Sequence, residues 1–156
     1  MHVTQEATLA APDCIFCAIC AGEEQARTVY EDDVVVVFMA LNAINPGHVL
    51  VVPRKHAVGL EDLDGAAGTR VWSVAQDMAR ALRRSSLNCQ GINLMVCDGT
   101  AAFQSVFHFH LHIIPRHSGD AWVMDGTEVP TRERSLLEAD AQAIRDCLAK
   151  TSPRVL

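Results

Sequence analysis

No apolar stretch in this chain is long enough to cross a bilayer. The longest, Val34–Leu41 and Val49–Pro53, fall far short of the roughly 20 residues a spanning helix needs. Basic charge is also scarce: 13 Lys and Arg against 19 Asp and Glu leave a net charge of −6 and a pI near 5.6. Such a protein is not built to coat a polymer of phosphates, which excludes nucleic acid polymers as the expected partner. A small phosphorylated ligand stays open, because a few local donors can hold one phosphate inside an acidic protein. The N-terminal segment has no basic stretch followed by an apolar one, so no secretory signal is expected and the cytoplasm is the expected compartment. Internal repeats, low-complexity tracts and long linkers are absent as well.

What is present reads as one globular domain. The chain has 156 residues, 49% of them apolar and 21% charged, enough for a core that needs no disulfide staples. Residues 1–12 are small and polar and read as a flexible tail, residues 13–122 as the domain, and residues 123–156 as a C-terminal extension with one helix. Thr28-Val-Tyr30 is a short apolar run, Glu31-Asp-Asp33 a turn, and Val34–Leu41 a β-branched strand. Asn45-Pro-Gly47 turns the chain into a second strand, His48–Pro53, so the two should pair antiparallel. Between Thr69 and Arg84 the period becomes helical, with Val71, Val74, Ala75, Met78 and Leu82 on one face. Strands are expected again at Ile92–Cys97 and Ser105–Ile114. A last amphipathic helix is expected over Ser135–Lys150, with Leu137, Ala141, Ile144 and Leu148 on one face and a capping box at Ser135-Leu-Leu-Glu138. The expected class is α+β: a five-stranded, mostly antiparallel sheet with two helices.

Two groups of residues carry chemistry. Cysteines 14, 17 and 20 crowd together, and in a reducing compartment that spacing suggests a metal before a disulfide. Cys14-x-x-Cys17 supplies two thiolates, which do not close a site, and Cys20 extends the spacing to a third position. Cys89 and Cys147 have no evident partner and read as plain buried thiols. The second group is His108, His110 and His112. On a strand these point to one face, with Phe107, Phe109, Leu111 and Ile113 on the other, where a helix can bury them. Neighbouring histidines would stand about 6.6 Å apart and the outer two about 13 Å, too far for all three to ligate one metal. Three readings remain: polar residues on an exposed face, metal ligands, or a catalytic set in which one neutral imidazole attacks while its neighbours orient it and handle protons.

The string His108-Phe-His110-Leu-His112-Ile-Ile resembles the signature of the histidine-triad (HIT) nucleotide hydrolases and transferases. Cys14-Ile-Phe-Cys17, Val29-Tyr-Glu-Asp-Asp33, Gly47-His-Val-Leu-Val-Val-Pro53, Lys55-His56 and Pro115-Arg116 stand in the same order and spacing as in that family, over about residues 13–120. The resemblance implies a HIT-like fold that dimerises into a ten-stranded sheet, with helix Thr69–Arg84 and Trp72 at the interface. It implies that His110 attacks the α-phosphorus of a nucleotide or nucleotide conjugate and forms a covalent intermediate. His112 and His48 would surround the phosphate, with His108 completing the triad and Ser105 helping with the phosphate or leaving group. Gln104 and Asn42 are the other expected substrate-binding residues. The resemblance further implies a structural zinc on Cys14, Cys17, His56 and His108. Three positions depart from the family: Ala40 stands where Asp or Asn usually holds the ribose hydroxyls, Cys97 where Asn or Gln is common, and Phe103 where Gly precedes Gln104. A substrate gripped otherwise than by its ribose diol is the expectation from those departures. The alternative reading is a zinc-stabilised module that binds a phosphorylated ligand without turning it over.

Overall fold

Successive residues of the two central strands serve opposite faces of one sheet, and both faces are covered. In the computed structural model, which describes residues 11–122 and 130–148, β1 is Thr28–Glu31, β2 Val35–Met39, β3 Val49–Pro53, β4 Gly91–Met95 and β5 Leu111–Arg116. Val35, Val37, Val49 and Val51 belong to one apolar cluster, and Val36, Phe38, Leu50 and Val52 to a second. β-Branched and aromatic side chains suit such a doubly covered surface. The strand order is β1-β2-β3-β5-β4, and every neighbouring pair is antiparallel.

The described residues form three α-helices: α1 Ile15–Ala21, α2 Gly65–Arg84 and α3 Arg134–Leu148. Helix α2 covers the first cluster with Ala67, Val71, Val74, Ala75 and Leu82. It starts four residues before the expected Thr69, because the Asp64 carboxylate accepts from the N–H groups of Ala66 and Ala67 and caps a first turn that contains Gly65 and Gly68. Helix α1, which apolar periodicity does not reveal, packs Phe16 edge-on to Phe38 at 5.3 Å on the opposite face. Arg54 ties this end together, donating to the carbonyls of Cys20 and Asp32 and to the Glu31 carboxylate.

The contacts divide the chain into residues 1–120 and 121–156. In the second unit α3 begins at Arg134, so Ser135 lies inside the helix, and the N–H groups of Leu136 and Leu137 are taken by the Glu133 carbonyl instead of a Ser135 cap. The expected end at Lys150 lies outside the described residues. Leu137 and Ile144 are largely exposed.

The last strand differs from expectation in a way that shapes the site. It begins at Leu111, so only His112 of the three histidines lies on a strand. β3 pairs with β5 over residues 49–51 and 111–113, and the residues before Leu111 turn inward, with the N–H of Phe109 donating to the carbonyl of Ala57. Phe109 is accordingly buried with the α2 cluster, but Phe107 is half-exposed and not part of that face.

Candidate active site and metal-ligand cluster

His108 and His110 both stand edge-on to Phe16 of α1, but the first serves the cysteines and the second a cavity. The His108 ring is fully buried beside α1, with Nδ1 3.3 Å from the Cys14 sulfur and 3.5 Å from that of Cys17. The Cys17 sulfur also lies 3.3 Å from Nδ1 of His56. One donor atom from each of Cys14, Cys17, His56 and His108 falls within 4.8 Å of the others, a set suited to a tetrahedral ion with sulfur and imidazole ligands. Nε2 of His108 lies 2.8 Å from the carbonyl oxygen of Pro53, which can only accept. The proton is therefore on Nε2 and the lone pair of Nδ1 faces the thiols, the arrangement that outer hydrogen bonds impose on metal-binding histidines. Burial drives the His108 pKa down to about 4, so the ring is neutral at pH 7. Cys20 is outside this group of four; burial pushes its thiol up to about 11, with Arg54 opposing. Cys89 is buried and donates to the carbonyl of Gly91, whereas Cys147, expected to be buried, is exposed on α3.

His110 turns toward a cavity of about 720 Å³ on the α1 side of the sheet. Its Nδ1 lies 2.7 Å from the carbonyl oxygen of His108, which fixes the proton on Nδ1 and leaves Nε2 with a free lone pair. Burial lowers its pKa although that hydrogen bond opposes the shift. Phe16 of α1 stands edge-on to this ring, with centroids 5.1 Å apart.

Beside it lies a second imidazole pair whose tautomers follow from the backbone. The N–H of Ile44 donates to Nδ1 of His48 at 3.1 Å, so a neutral His48 carries its proton on Nε2. That proton points at Nδ1 of His112, 3.0 Å away, which must accept and must hold its own proton on Nε2. Both rings are neutral at pH 7: burial lowers His48, and burial followed by the neighbouring His110 and His48 brings His112 to about 4. The His110 and His112 rings are 4.8 Å apart at their centroids, in edge-to-face contact. The arrangement offers one imidazole nitrogen with an uncommitted lone pair, Nε2 of His110, beside a chain of oriented donors.

Of the residues singled out by sequence, His48, His110, His112, Ser105 and Asn42 line the cavity, as does Ala40. His108 does not; its ring belongs to the cysteine cluster and its carbonyl to His110. Gln104 is buried and spends its amide on the loops, accepting from the N–H of Gly99 and donating to the carbonyls of Val58 and Val106. Phe103 is 88% exposed and holds φ at +65°, a conformation that costs a non-glycine residue about 1 kcal/mol or more. The sequence did not single out the apolar wall of Ile15, Ile19, Phe38 and Leu50, nor the rim residues Gln25 and Arg27.

The HIT-domain family model matches residues 21–119, and the chain belongs to the HIT family. It is 36% identical over 137 residues to an uncharacterised HIT-like protein of Mycobacterium tuberculosis, covering 88% of this chain and 94% of that one. A solved Zn-bound histidine triad family protein from Mycobacterium smegmatis is 38% identical, with a TM-score of 0.69 over 86% of this chain and 97% of that one. An Arabidopsis thaliana protein named as an adenylylsulfatase is 31% identical over 140 residues, 88% of this chain and 68% of that one. Among the described residues no helix is long and apolar enough to cross a membrane.

Proposed function

We propose that this protein hydrolyses or transfers at the α-phosphate of a nucleotide or nucleotide conjugate through a covalent intermediate on His110. The observation that carries the reading is the free Nε2 of His110, held by the 2.7 Å contact of Nδ1 with the His108 carbonyl at the wall of a nucleotide-sized cavity. The Nε2 lone pair forms a bond to phosphorus, and the bond to the leaving group breaks with its electron pair. Positive charge then develops on the ring, and the His108 carbonyl stabilises it through Nδ1–H. Nε2–H of His112, aligned by His48 and the Ile44 amide, donates to a phosphate oxygen, with the Ser105 hydroxyl as a further donor. Water or another acceptor attacks the same phosphorus and releases Nε2. The adenylylsulfatase relative supports this class of reaction.

Cys14, Cys17, His56 and His108 fit a zinc ion by donor type and proximity, and the Zn-bound relative supports that choice. Zinc there would serve as a structural cross-link from the start of α1 to the residues before β5. Ligands kept as free thiols favour a cytoplasmic setting. A homodimer through α2 is also our reading, with Trp72, 56% exposed, as its anchor. Light scattering should give twice the 17.0 kDa of one chain, and a monomer at micromolar concentration overturns the pairing.

The decisive experiment is intact-mass spectrometry after rapid mixing with adenylyl conjugates. A nucleotidyl adduct that maps to His110, with turnover abolished in His110→Ala, is the expected result. Nucleotide binding with neither adduct nor turnover would make the protein a binding module.

A further inference from the structure

The cavity lining among the described residues carries one side chain charged at neutral pH, Arg27, and it stands away from the histidines. The carbonyl of Arg27 accepts from the N–H of Met39, which places it on the β1 side of the sheet next to Ala40. Neighbouring pairs Thr28↔Phe38, Phe38↔Leu50 and Leu50↔His112 separate that edge from His112 by three strand steps, or roughly 14 Å. The guanidinium of Arg27 takes part in no ion pair among the described residues.

We propose that the substrate is a nucleotide whose ribose bears a second phosphate, and that Arg27 recognises it. The inference deepens the nucleotide reading above and rests on it. A phosphorus at His110 and a base against the apolar wall of Phe16, Ile19, Phe38 and Leu50 leave the sugar to pass the rim at Ala40, whose N–H donates to the carbonyl of His48. At that rim a free ribose diol needs an acceptor. No carboxylate lines the cavity among the described residues, and the methyl group of Ala40 accepts nothing, so the side-chain acceptors toward that rim are the neutral amides of Gln25 and Asn42. Arginine offers donors only and demands an acceptor rich in lone pairs, which a phosphate supplies in bidentate geometry. Dinucleotide pockets make the same division: an acidic side chain reads a free ribose hydroxyl, and an arginine reads a phosphate at that position. A net charge of −6 gives polyanions no general attraction, so discrimination falls to this local cation.

The test is calorimetric binding of adenosine and guanosine 5′-monophosphates against their 3′,5′- and 2′,5′-bisphosphates. The expected result is at least one bisphosphate bound about tenfold or more tightly than its monophosphate, as charge-assisted hydrogen bonds at a partly exposed site provide. In Arg27→Gln that ratio should fall toward one, and in Arg27→Lys it should be partly restored, with the melting temperature unchanged in both. A ratio near one in the wild type, or a preference that survives Arg27→Gln, overturns the ribose-phosphate inference and leaves the nucleotide reading standing. Binding of none of these nucleotides overturns both.

Discussion

The carbonyl of His108 accepts from Nδ1 of His110 at 2.7 Å, while the ring of His108 faces the sulfurs of Cys14 and Cys17 at 3.3 and 3.5 Å. One residue thus joins the cysteine cluster to the nucleophile, its side chain anchoring a carbonyl that fixes the neighbour's tautomer. Slack in the cluster should therefore appear as slack in catalysis. Purified protein is expected to hold about one zinc per chain by elemental analysis, and Cys14→Ser/Cys17→Ser to lose it. The double variant should melt on the order of 10 °C lower, as the loss of several kcal/mol does in a domain of this size, and turnover should fall with it. Metal-free protein with an unchanged melting temperature would refute the zinc assignment.

Gly47 precedes His48 in the turn between β2 and β3, at φ +89°. A Cβ there would come within 2.7 Å of Leu87 Cδ1 and 2.9 Å of Leu82 Cδ2. Gly47→Ala should combine backbone strain with overpacking and cost about 2–4 kcal/mol in urea denaturation. Because the next residue aligns His112, kcat should fall in the fraction that still folds. An alanine variant as stable as the wild type would mean that the turn relaxes freely.

The strands at the centre were legible because Val34–Leu41 and His48–Pro53 are β-branched runs around an Asn-Pro-Gly turn, and their pairing is local. The site was legible as residue types and faces. Alternation placed the faces correctly, with Phe109, Leu111 and Ile113 in the α2 cluster and the His108 and His110 rings both against Phe16 on the other side, but the strand starts at Leu111 and not at Ser105. Helix α1 was missed because seven residues, IFCAICA, are too few to display a 3.6-residue period and carry two of the cysteines that suggested a metal loop. Arg27 carries no local signal at all. It becomes a cavity residue only when β1 folds against β2.

Asp32 should govern stability in acid. Burial pushes its carboxyl up, but the N–H groups of Val35 and Val34, then Arg70 and Tyr30, outweigh that and hold it well below the usual carboxylate range. A depressed pKa gives stability that is complete above the unfolded value, about 3.9, and is lost as pH falls toward the folded one. Asp32→Asn should be less stable than wild type by about 1–2 kcal/mol at pH 7. The difference should shrink as pH drops below about 4. A gap that stays constant down to pH 2 would show that the ionised carboxylate is not what stabilises the turn.

Ala40 offers the converse of the Arg27 experiment, since a carboxylate introduced there would stand at the same rim. Ala40→Asp adds an acceptor for the 2′- and 3′-hydroxyls and places a negative charge next to Arg27, where it competes for the guanidinium. Two recovered hydrogen bonds contribute about 1–3 kcal/mol, or roughly 5- to 150-fold in affinity. Adenosine or guanosine monophosphate should therefore bind more tightly to the variant, while the 2′,3′-dideoxy monophosphate, which has no ribose hydroxyl to donate, should not. The bisphosphates should lose ground, because the new carboxylate repels them. If the wild type already binds the ordinary monophosphate at low micromolar strength and loses that affinity with the dideoxy analogue, the ribose diol is being read by another group, and the methyl of Ala40 has no bearing on selectivity.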